Sequence, residues 1–381
     1  MNRKIIFVLV LAFMLTNASL CTQDKTPENL GVFLSTDYGE KYEQANKLPD
    51  DKNLNKVSVM DISIDAFNPS LIYLCTRDQG IFKSVNSGEL WERTSIEAGT
   101  FYHVAIDPKN NRTLYAAGFV DNYGKLLKST DGGKEWEEVY RETHEESKVF
   151  NVQIDSFDTR KIYAVTEKGA VIKSEDNGRS WVVKHWFPKR VVLLKISPFD
   201  SRHIYVGSPD FGMAKSLDGG ETWEEIIMYQ NKEEIVEVAV EEENEQGETI
   251  TVTKEDKVYK LLDEIYENSD HVFDFEFHPQ DQNTIYVSSE FGLLRTTDGG
   301  TIWQPVNLLV PPGENSLVRF VIDPQNPNNI YLSLDNSIYK TRDAGAHWTV
   351  KKITDSFIHA LSIDPEDSGR VYVGAWYRGE Q

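Results

Sequence analysis

Ser129-Thr130-Asp131-Gly132-Gly133-Lys134-Glu135-Trp136 is one of seven copies of a single eight-residue pattern in this chain. The pattern has Ser or Thr first, Asp or Asn third, Gly fifth and Trp or Tyr eighth, and its copies begin at Ser35, Ser84, Ser129, Ser174, Ser216, Thr296 and Thr341. Successive copies start 49, 45, 45, 42, 80 and 45 residues apart. A nearly fixed period of this length predicts a repeat architecture in which each copy belongs to one structural unit.

Residues 101–140 show the unit that surrounds one copy of the pattern. The alternating residues 101–106 predict a first strand, which ends at Asp107-Pro108, and a polar turn then leads to a second strand over residues 113–117. Residues 125–128 lead a third strand into the pattern, and residues 136–140 form a fourth. Four short strands per unit of about 40–45 residues predict an all-β chain that is built of propeller blades.

The two ends of the chain supply complementary halves of one blade. The C-terminal end contains a first and a second strand around Ile363-Asp364-Pro365 and Val371-Tyr372, and the N-terminal end contains a third strand and the first copy of the pattern. We therefore expect a single closed β-propeller over residues 31–381, whose ring is closed by N-terminal strands that complete the last blade. The 80-residue spacing equals two periods, so residues 232–268 are expected to form a divergent blade. This gives eight blades, whereas an insertion at the same place would leave seven.

The eight-residue pattern resembles the Asp-box, or BNR, repeat of sialidases, sortilin-type receptors, some glucan hydrolases and photosystem II assembly factors. The resemblance covers nearly all of residues 31–381. It implies a β-propeller fold with high specificity, because seven independent copies share one register. It implies no single function, because the superfamily includes enzymes, receptors and scaffolds.

The carboxylates of the Asp-boxes are expected to stabilise turns rather than to catalyse or to bind metal. A tight turn between the two outer strands needs a residue that tolerates positive φ, such as Gly133, and the side chain of Asp131 can accept hydrogen bonds from the turn backbone. The Trp that follows covers the turn with a large apolar face. Each box offers one carboxylate, whereas a calcium loop needs several oxygen ligands. No cofactor and no metal site is predicted.

Polar residues are predicted to line a central channel. When the first strands are aligned on the apolar residue at the Asp-Pro turn, the position three residues earlier is polar or charged in six of eight units. The eight residues at this position are Asp61, His103, Asn151, Leu193, Glu237, Asp274, Arg319 and Ala360. Ionisable groups are costly to bury unpaired, so we expect a water-filled channel. The groups either pair with one another, as Arg319 with Asp274, or hold a ligand or metal.

A binding site is expected on the rim that carries the variable loops. In a four-stranded blade, the first-to-second turn and the Asp-box lie on one rim, here named the box rim. The second-to-third and fourth-to-first connections lie on the other, here named the variable rim. Aromatic side chains beside charged groups can stack on sugar rings or hold a peptide. The predicted binding residues are His103 and Asn151 in the channel and, on the variable rim, Asp210, Phe211, Glu290, Phe291, Trp376 and Arg378.

Two functions are compatible with these features. The first is a non-catalytic scaffold that binds a protein or a glycan on its variable rim. The second is a glycoside hydrolase, sialidase-like or glucan-active, which needs two carboxylates beside the scissile bond. Its candidate residues are Asp61, Glu237, Asp274 and Arg319. A sialidase-type site needs three arginines, and Asp-box glucan hydrolases usually join two propellers, so the scaffold is the preferred function.

Charge and the N-terminus limit the partners and the location. The net charge of −21 makes nucleic acid and anionic lipid poor partners. Residues 1–20 join a short positive start to an apolar run that is too short to span a bilayer, and they predict a secretory signal peptide followed by a linker over residues 21–30. Ala18-Ser19-Leu20-Cys21 resembles a bacterial lipobox, so Cys21 is a candidate lipidation site and the sole expected membrane contact. We expect an exported monomer that is periplasmic, at the cell surface or secreted.

Overall fold

The computed structural model describes residues 29–243, 249–311, 313 and 317–377. The predicted signal peptide, most of the predicted linker and Cys21 lie outside these residues, so export and lipidation stay predictions. Within the described ranges, the strands form seven blades arranged as a closed β-propeller, and the predicted all-β class is confirmed.

The strands of the first three blades follow the N-terminal pair in chain order. The pair is β1 (Gly31–Ser35) and β2 (Glu43–Gln44). Blade 1 comprises β3 (Val59–Ile64), β4 (Ile72–Thr76), β5 (Ile81–Ser84) and β6 (Glu92–Arg93). Blade 2 comprises β7 (Thr100–Ile106), β8 (Leu114–Val120), β9 (Tyr123–Ser129) and β10 (Glu137–Arg141). Blade 3 comprises β11 (Val149–Ile154), β12 (Ile162–Thr166), β13 (Ala170–Ser174) and β14 (Val182–Trp186).

The second half of the ring contains one additional hairpin. Blade 4 comprises β15 (Leu193–Ile196), β16 (Ile204–Ser208), β17 (Gly212–Ser216) and β18 (Glu224–Ile226). The hairpin comprises β19 (Tyr229–Glu243) and β20 (Thr249–Leu261), and the short helix α1 (Leu262–Ile265) follows it. Blade 5 comprises β21 (Val272–Phe277), β22 (Ile285–Ser289), β23 (Leu293–Thr296) and β24 (Ile302–Pro305). Blade 6 comprises β25 (Leu317–Ile322), β26 (Ile330–Leu334), β27 (Ser337–Thr341) and β28 (Thr349–Lys352). The last strands are β29 (Phe357–Ile363) and β30 (Val371–Trp376).

The expectation of eight blades was wrong, and the alternative of an insertion that leaves seven describes the structure. The segment expected to be a divergent blade, residues 232–268, lies mostly in the β19–β20 hairpin. The start of β19 pairs in parallel with β24, through Tyr229 with Ile302 and Gln230 with Trp303, so the hairpin extends the sheet of blade 5 to six strands. Two strands of 15 and 13 residues replace the four short strands of a blade, because this segment has no Asp-Pro turn and no Asp-box.

The N-terminal strands close the ring within blade 7. Its strand order is β2-β1-β30-β29, with β1 antiparallel to β30 from Gly31 opposite Ala375 to Ser35 opposite Val371. Val32 on β1 is fully buried in the apolar core between blades 7 and 1. The two ends of the chain are therefore joined by backbone pairing, and blade 7 has no free edge between them.

Each Asp-box forms a hydrogen-bonded turn, as the box at Ser129 shows. The Ser129 hydroxyl donates to Asp131 over 2.9 Å and accepts from the Gly133 N–H over 2.9 Å, while Asp131 also accepts from the Glu135 N–H over 3.0 Å. Gly133 adopts a φ of 88°, which a residue with a side chain rarely tolerates. This box carboxylate is thus engaged within its own turn.

Second-strand tyrosines fasten four of the seven boxes to the preceding blade. The Tyr73 hydroxyl of blade 1 donates to the Gly132 carbonyl in the box of blade 2 over 3.2 Å. The same contact reaches the boxes of blades 4, 7 and 1 from Tyr163, Tyr331 and Tyr372. At these four interfaces the tyrosine of an Ile-Tyr or Val-Tyr dipeptide therefore holds neighbouring blades together.

Candidate functional site

The first strands of all seven blades enclose a central channel. These strands are β3, β7, β11, β15, β21, β25 and β29, and they line a cavity of about 390 Å³. Each first strand begins at the variable rim and ends at the box rim, so the residues at its start lie near the mouth of the channel on the variable rim.

Bulges add a ring of large side chains at this mouth. In six of the seven described first strands the pairing register with the second strand skips one residue near the strand start, for example between Val59 and Asp61. A bulge places two consecutive residues opposite one partner and reorients the extra side chain. We name as the mouth ring the following cavity-lining residues: Met60, Tyr102, Phe150, Phe273 and His359, which lie at bulges, and Val192, which directly precedes β15 and lies at no bulge.

The mouth ring is largely apolar and aromatic. The rings of Tyr102 and Phe150 meet edge to face with centroids 5.2 Å apart, and both side chains are half-buried. This arrangement leaves part of each aromatic face available to the channel. These residues were not predicted from the sequence, because a bulge does not alter the alternation of apolar and polar positions in a recognisable way.

Most of the predicted polar ring lies inside the channel. Asp61, His103, Asn151, Asp274 and Arg319 all line the cavity, and Leu193 lies among them. Ala360 packs instead into the apolar core between blades 7 and 1. Whether the polar residues bind a ligand stays a prediction.

Glu237 does not belong to this ring. Its backbone lies on β19 in the hairpin, opposite Glu255 on β20, and not on a first strand. Glu237 was aligned with Asp61 and Asp274 because an eighth blade was expected. The structure has no such blade among the described residues, so this alignment was wrong. One of the three carboxylates considered for a hydrolase is therefore absent from the channel.

One wall of the channel carries a network of ion pairs. Lys195 Nζ lies 2.5 Å from Glu276 Oε1 and 3.5 Å from Asp274 Oδ1, and Arg319 Nη1 lies 3.8 Å from the same Asp274 oxygen. The Asp274 side chain is only 5% exposed. Burial acts to lower the pKa of Lys195, but Asp274 and Glu276 together outweigh burial and raise it. This wall is therefore internally neutralised, and the predicted pairing of Arg319 with Asp274 is present.

Lys195 and Glu276 were also not predicted to line the channel, although their positions in the sequence indicate it. Each lies two residues after a member of the predicted ring, Leu193 and Asp274 respectively. Side chains two residues apart on a strand share a face, so the position two residues further on also faces the channel.

The opposite wall is polar and carries one carboxylate. The Ser63 hydroxyl donates to Asp61 Oδ2 over 2.7 Å, and the Gln153 amide donates to Asn151 Oδ1 over 3.3 Å. Burial lowers the pKa of His103 against the opposing effect of Asp61. No ion pair to Asp61 is present among residues 29–243, 249–311, 313 and 317–377.

Four of the predicted binding residues on the variable rim, Asp210, Phe211, Glu290 and Phe291, lie apart from the channel lining. Asp210 forms an ion pair with Arg190 at 2.9 Å, and Phe211 stacks on Phe187 with centroids 5.0 Å apart. Glu290 contacts His271 at 2.8 Å. Phe291 lines a separate apolar pocket of about 210 Å³ between blades 5 and 6. The structure thus divides these four predicted residues between two local clusters.

Trp376 connects the variable rim to the mouth ring. Its ring lies 5.5 Å from that of His359, and the Arg77 guanidinium lies 6.0 Å from the Trp376 centroid. Arg378 lies outside the described residues.

His359 is expected to make stability depend on pH. Its Nδ1 is 3.0 Å from the Met60 carbonyl and can donate to it; burial, aided by Arg319, lowers the pKa of His359 to about 4. The unfolded chain protonates this histidine near its usual pKa of about 6.5. The unfolded state therefore binds more protons between these values, and stability falls as pH decreases from about 6.5 to 4, by roughly 1–3 kcal/mol.

The variant His359→Gln cannot take up this proton, so its stability should change less with pH. Urea unfolding of both proteins across this pH range measures the difference. His103, whose pKa is also lowered, should account for part of the remaining slope. An unchanged slope in His359→Gln would contradict the prediction.

Two further properties concern membranes and metals. None of the helices among the described residues is long and apolar enough to cross a membrane. In the same part of the chain, no group of three or more His, Cys, Asp or Glu side chains is arranged to hold a metal ion.

Comparison with known proteins identifies a family model and similar folds. The model of the photosynthesis system II assembly factor YCF48 matches residues 44–186. No curated protein sequence matches the chain.

Among solved structures, the GH74 xyloglucanase from Xanthomonas campestris is 15% identical, with a TM-score of 0.62 over 84% of this chain and 51% of that chain. YCF48 from Cyanidioschyzon merolae is 14% identical, with a TM-score of 0.57 over 84% of this chain and 95% of that one. A structure of YCF48 bound to D1 peptide has the same identity and TM-score, over 84% and 93%.

This chain spans about half the length of the xyloglucanase, and at these identities the structural likeness shows the fold alone. The matched model, the Asp-boxes and the closed ring of four-stranded blades agree with one another. The chain is therefore a closed β-propeller with repeats of the Asp-box, or BNR, type, and its residues 44–186 match the family model of YCF48.

Proposed function

We propose that this propeller binds a peptide segment of a protein partner across the channel mouth on the variable rim. The observation that carries this proposal is the mouth ring, in which half-buried aromatic and apolar side chains surround a polar channel. Pockets that are apolar and contain a few fixed polar groups are typical binding sites.

The chemistry of the mouth suits a peptide. Tyr102 and Phe150 offer rigid apolar surface, which contributes strongly at protein interfaces. Below them, Asn151 and Gln153 offer amide groups that can exchange their mutual hydrogen bond for bonds to a peptide backbone. A structurally similar propeller, YCF48, is known in complex with D1 peptide, which supports a protein partner for this fold.

The net charge of −21 supports a protein partner over nucleic acid, because phosphate backbones are repelled by an acidic surface. A glycan stays an alternative occupant of the same aromatic surface, and the experiment must separate the two.

The test is selection of a displayed library of random peptides on the immobilised full chain, alongside a panel of oligosaccharides. Peptides that are enriched should lose about tenfold or more in affinity for the variants Tyr102→Ala and Phe150→Ala, because aromatic contacts at an interface centre dominate binding energy. Isothermal titration calorimetry of the enriched peptides with each variant measures the loss of affinity.

Phe157→Ala is the matched control. Phe157 is 55% exposed in the first-to-second turn of blade 3, on the box rim, so its removal should leave the affinity unchanged. Enrichment of peptides whose affinity follows Phe157 rather than Phe150 would contradict the proposed location. Binding of oligosaccharides without any peptide would contradict a protein partner.

A further inference from the structure

The two walls of the channel differ in how their charges are satisfied. On the wall formed by β15, β21 and β25, Lys195 and Arg319 face Asp274 and Glu276 within ion-pair distance. On the wall formed by β3, β7 and β11, the Asp61 carboxylate receives one hydrogen bond from the Ser63 hydroxyl. In the described part of the chain this carboxylate has no cationic partner.

A half-buried carboxylate that lacks a cation attracts one, because pairing offsets its partial loss of hydration. Asp61 can accept further hydrogen bonds, since a carboxylate has about four lone-pair sites and Ser63 uses one. A charge-assisted bond at this position is stronger than a neutral one.

The side chains on the variable-rim side of Asp61 suit the aliphatic part of a lysine or arginine side chain. Met60, a member of the mouth ring, immediately precedes Asp61 in the sequence. Tyr102 and Phe150 continue the mouth ring on blades 2 and 3. Lysine and arginine place long apolar stems along such surfaces and keep the charged end in a polar region. Aromatic faces add attraction for a cation that passes beside them.

An acidic occupant fits less well. The cations in the channel are already engaged with Asp274 and Glu276, so a carboxylate from a ligand would have to displace one of these partners. The net charge of −21 also disfavours the approach of an acidic segment and favours a basic one.

We infer that the partner peptide inserts a lysine or arginine side chain into the channel mouth, where its cation pairs with Asp61 and its stem packs on Met60, Tyr102 and Phe150. This inference rests on the proposed peptide-binding function and assigns the chemistry of the bound segment. Asp61 is therefore the residue that selects a basic side chain.

The experiment is a double-mutant cycle with the tightest peptide from the displayed library. We expect that peptide to contain an essential lysine or arginine, whose replacement by glutamine weakens binding to the natural protein about tenfold or more. Asp61→Asn should weaken binding of the unaltered peptide by a similar factor. The glutamine peptide should bind Asp61→Asn and the natural protein about equally.

Asp121→Asn is the control for the general effect of charge. Asp121 lies in the second-to-third turn of blade 2 on the variable rim and its side chain is 82% exposed, so the variant removes the same charge away from the channel. Its effect on affinity should be small and should vanish at high salt. Circular dichroism and urea unfolding verify that Asp61→Asn folds, and the glutamine peptide tests the inference on the unaltered protein in any case.

The outcomes separate the two proposals. If enriched peptides lack lysine and arginine, or if Asp61→Asn weakens binding no more than Asp121→Asn does, the inference is overturned while the peptide site survives. If no peptide depends on Tyr102 and Phe150, the proposed function itself fails.

Discussion

A chain that begins at Lys47, and so lacks β1 and β2, is expected not to form a stable monomeric ring. These strands supply two of the four strands of blade 7, and β1 covers β30 through five residue pairs. Leu30, Val32 and Phe33 are at most 7% exposed. At about 1.5–3 kcal/mol for each buried side chain, their loss removes roughly 5–9 kcal/mol, which is comparable to the whole stability of a typical domain.

Size-exclusion chromatography and urea unfolding measure this effect. The truncated chain should aggregate through the exposed edge of β30 or unfold without a cooperative transition. A chain that begins at Asn29 is the matched control, because it retains every described residue of blade 7. A synthetic peptide of residues 29–46 should restore folding in part. A truncated chain with an unchanged unfolding midpoint would show that ring closure does not depend on β1.

Lys195→Met is expected to destabilise the fold by about 3–5 kcal/mol, because it leaves Asp274 and Glu276 without the ammonium group that they share. Asp274 is nearly inaccessible to water and retains only its longer contact with Arg319, so two carboxylates share one cation and the excess charge cannot be hydrated without opening the channel wall. The free energy of unfolding from urea titration, at a pH where both carboxylates are charged, measures the loss.

Lys215→Met is the matched control for this change. The Lys215 side chain is 24% exposed, close to the 22% of Lys195, but its partner Glu224 is 62% exposed. An exposed pair contributes about 0–1 kcal/mol, so this variant should retain nearly full stability. Adding Glu276→Gln to Lys195→Met should recover part of the loss. Equal losses in the two lysine variants would show that the channel network is not structural.

The effect of Lys195→Met on stability and the effect of Asp61→Asn on binding would together distinguish the two walls of the channel by function. A large stability effect at Lys195 assigns the β15–β21–β25 wall to the fold, whereas binding effects at Asp61 assign the opposite wall to the ligand. Sequence alone cannot make this division, because both walls come from the same aligned position of the repeat and its neighbours.

The Asp-boxes were sufficient to predict a propeller, because each box is a local turn, as in the box at Ser129, where Ser129, Asp131, Gly133 and Trp136 contact one another within eight residues. The Asp-Pro turns likewise set the register of the first strands, so the places of Asp61, His103, Asn151, Asp274 and Arg319 in the channel could be predicted. Closure by β1 also followed from the chain, since its ends carry complementary parts of one blade.

The tertiary structure alone decided the number of blades, the place of Glu237, the pairing of Lys195 and the mouth ring. The 80-residue spacing fits either a blade or an inserted hairpin, and only the pairing of β19 with β24 selects the hairpin. The bulge that turns Tyr102 toward the channel is defined by a partner strand. The hydrogen bonds of a turn join residues that are close in the sequence, so the turn can be predicted from the sequence. Strand pairing, bulges and ion pairs depend on segments that only folding brings together.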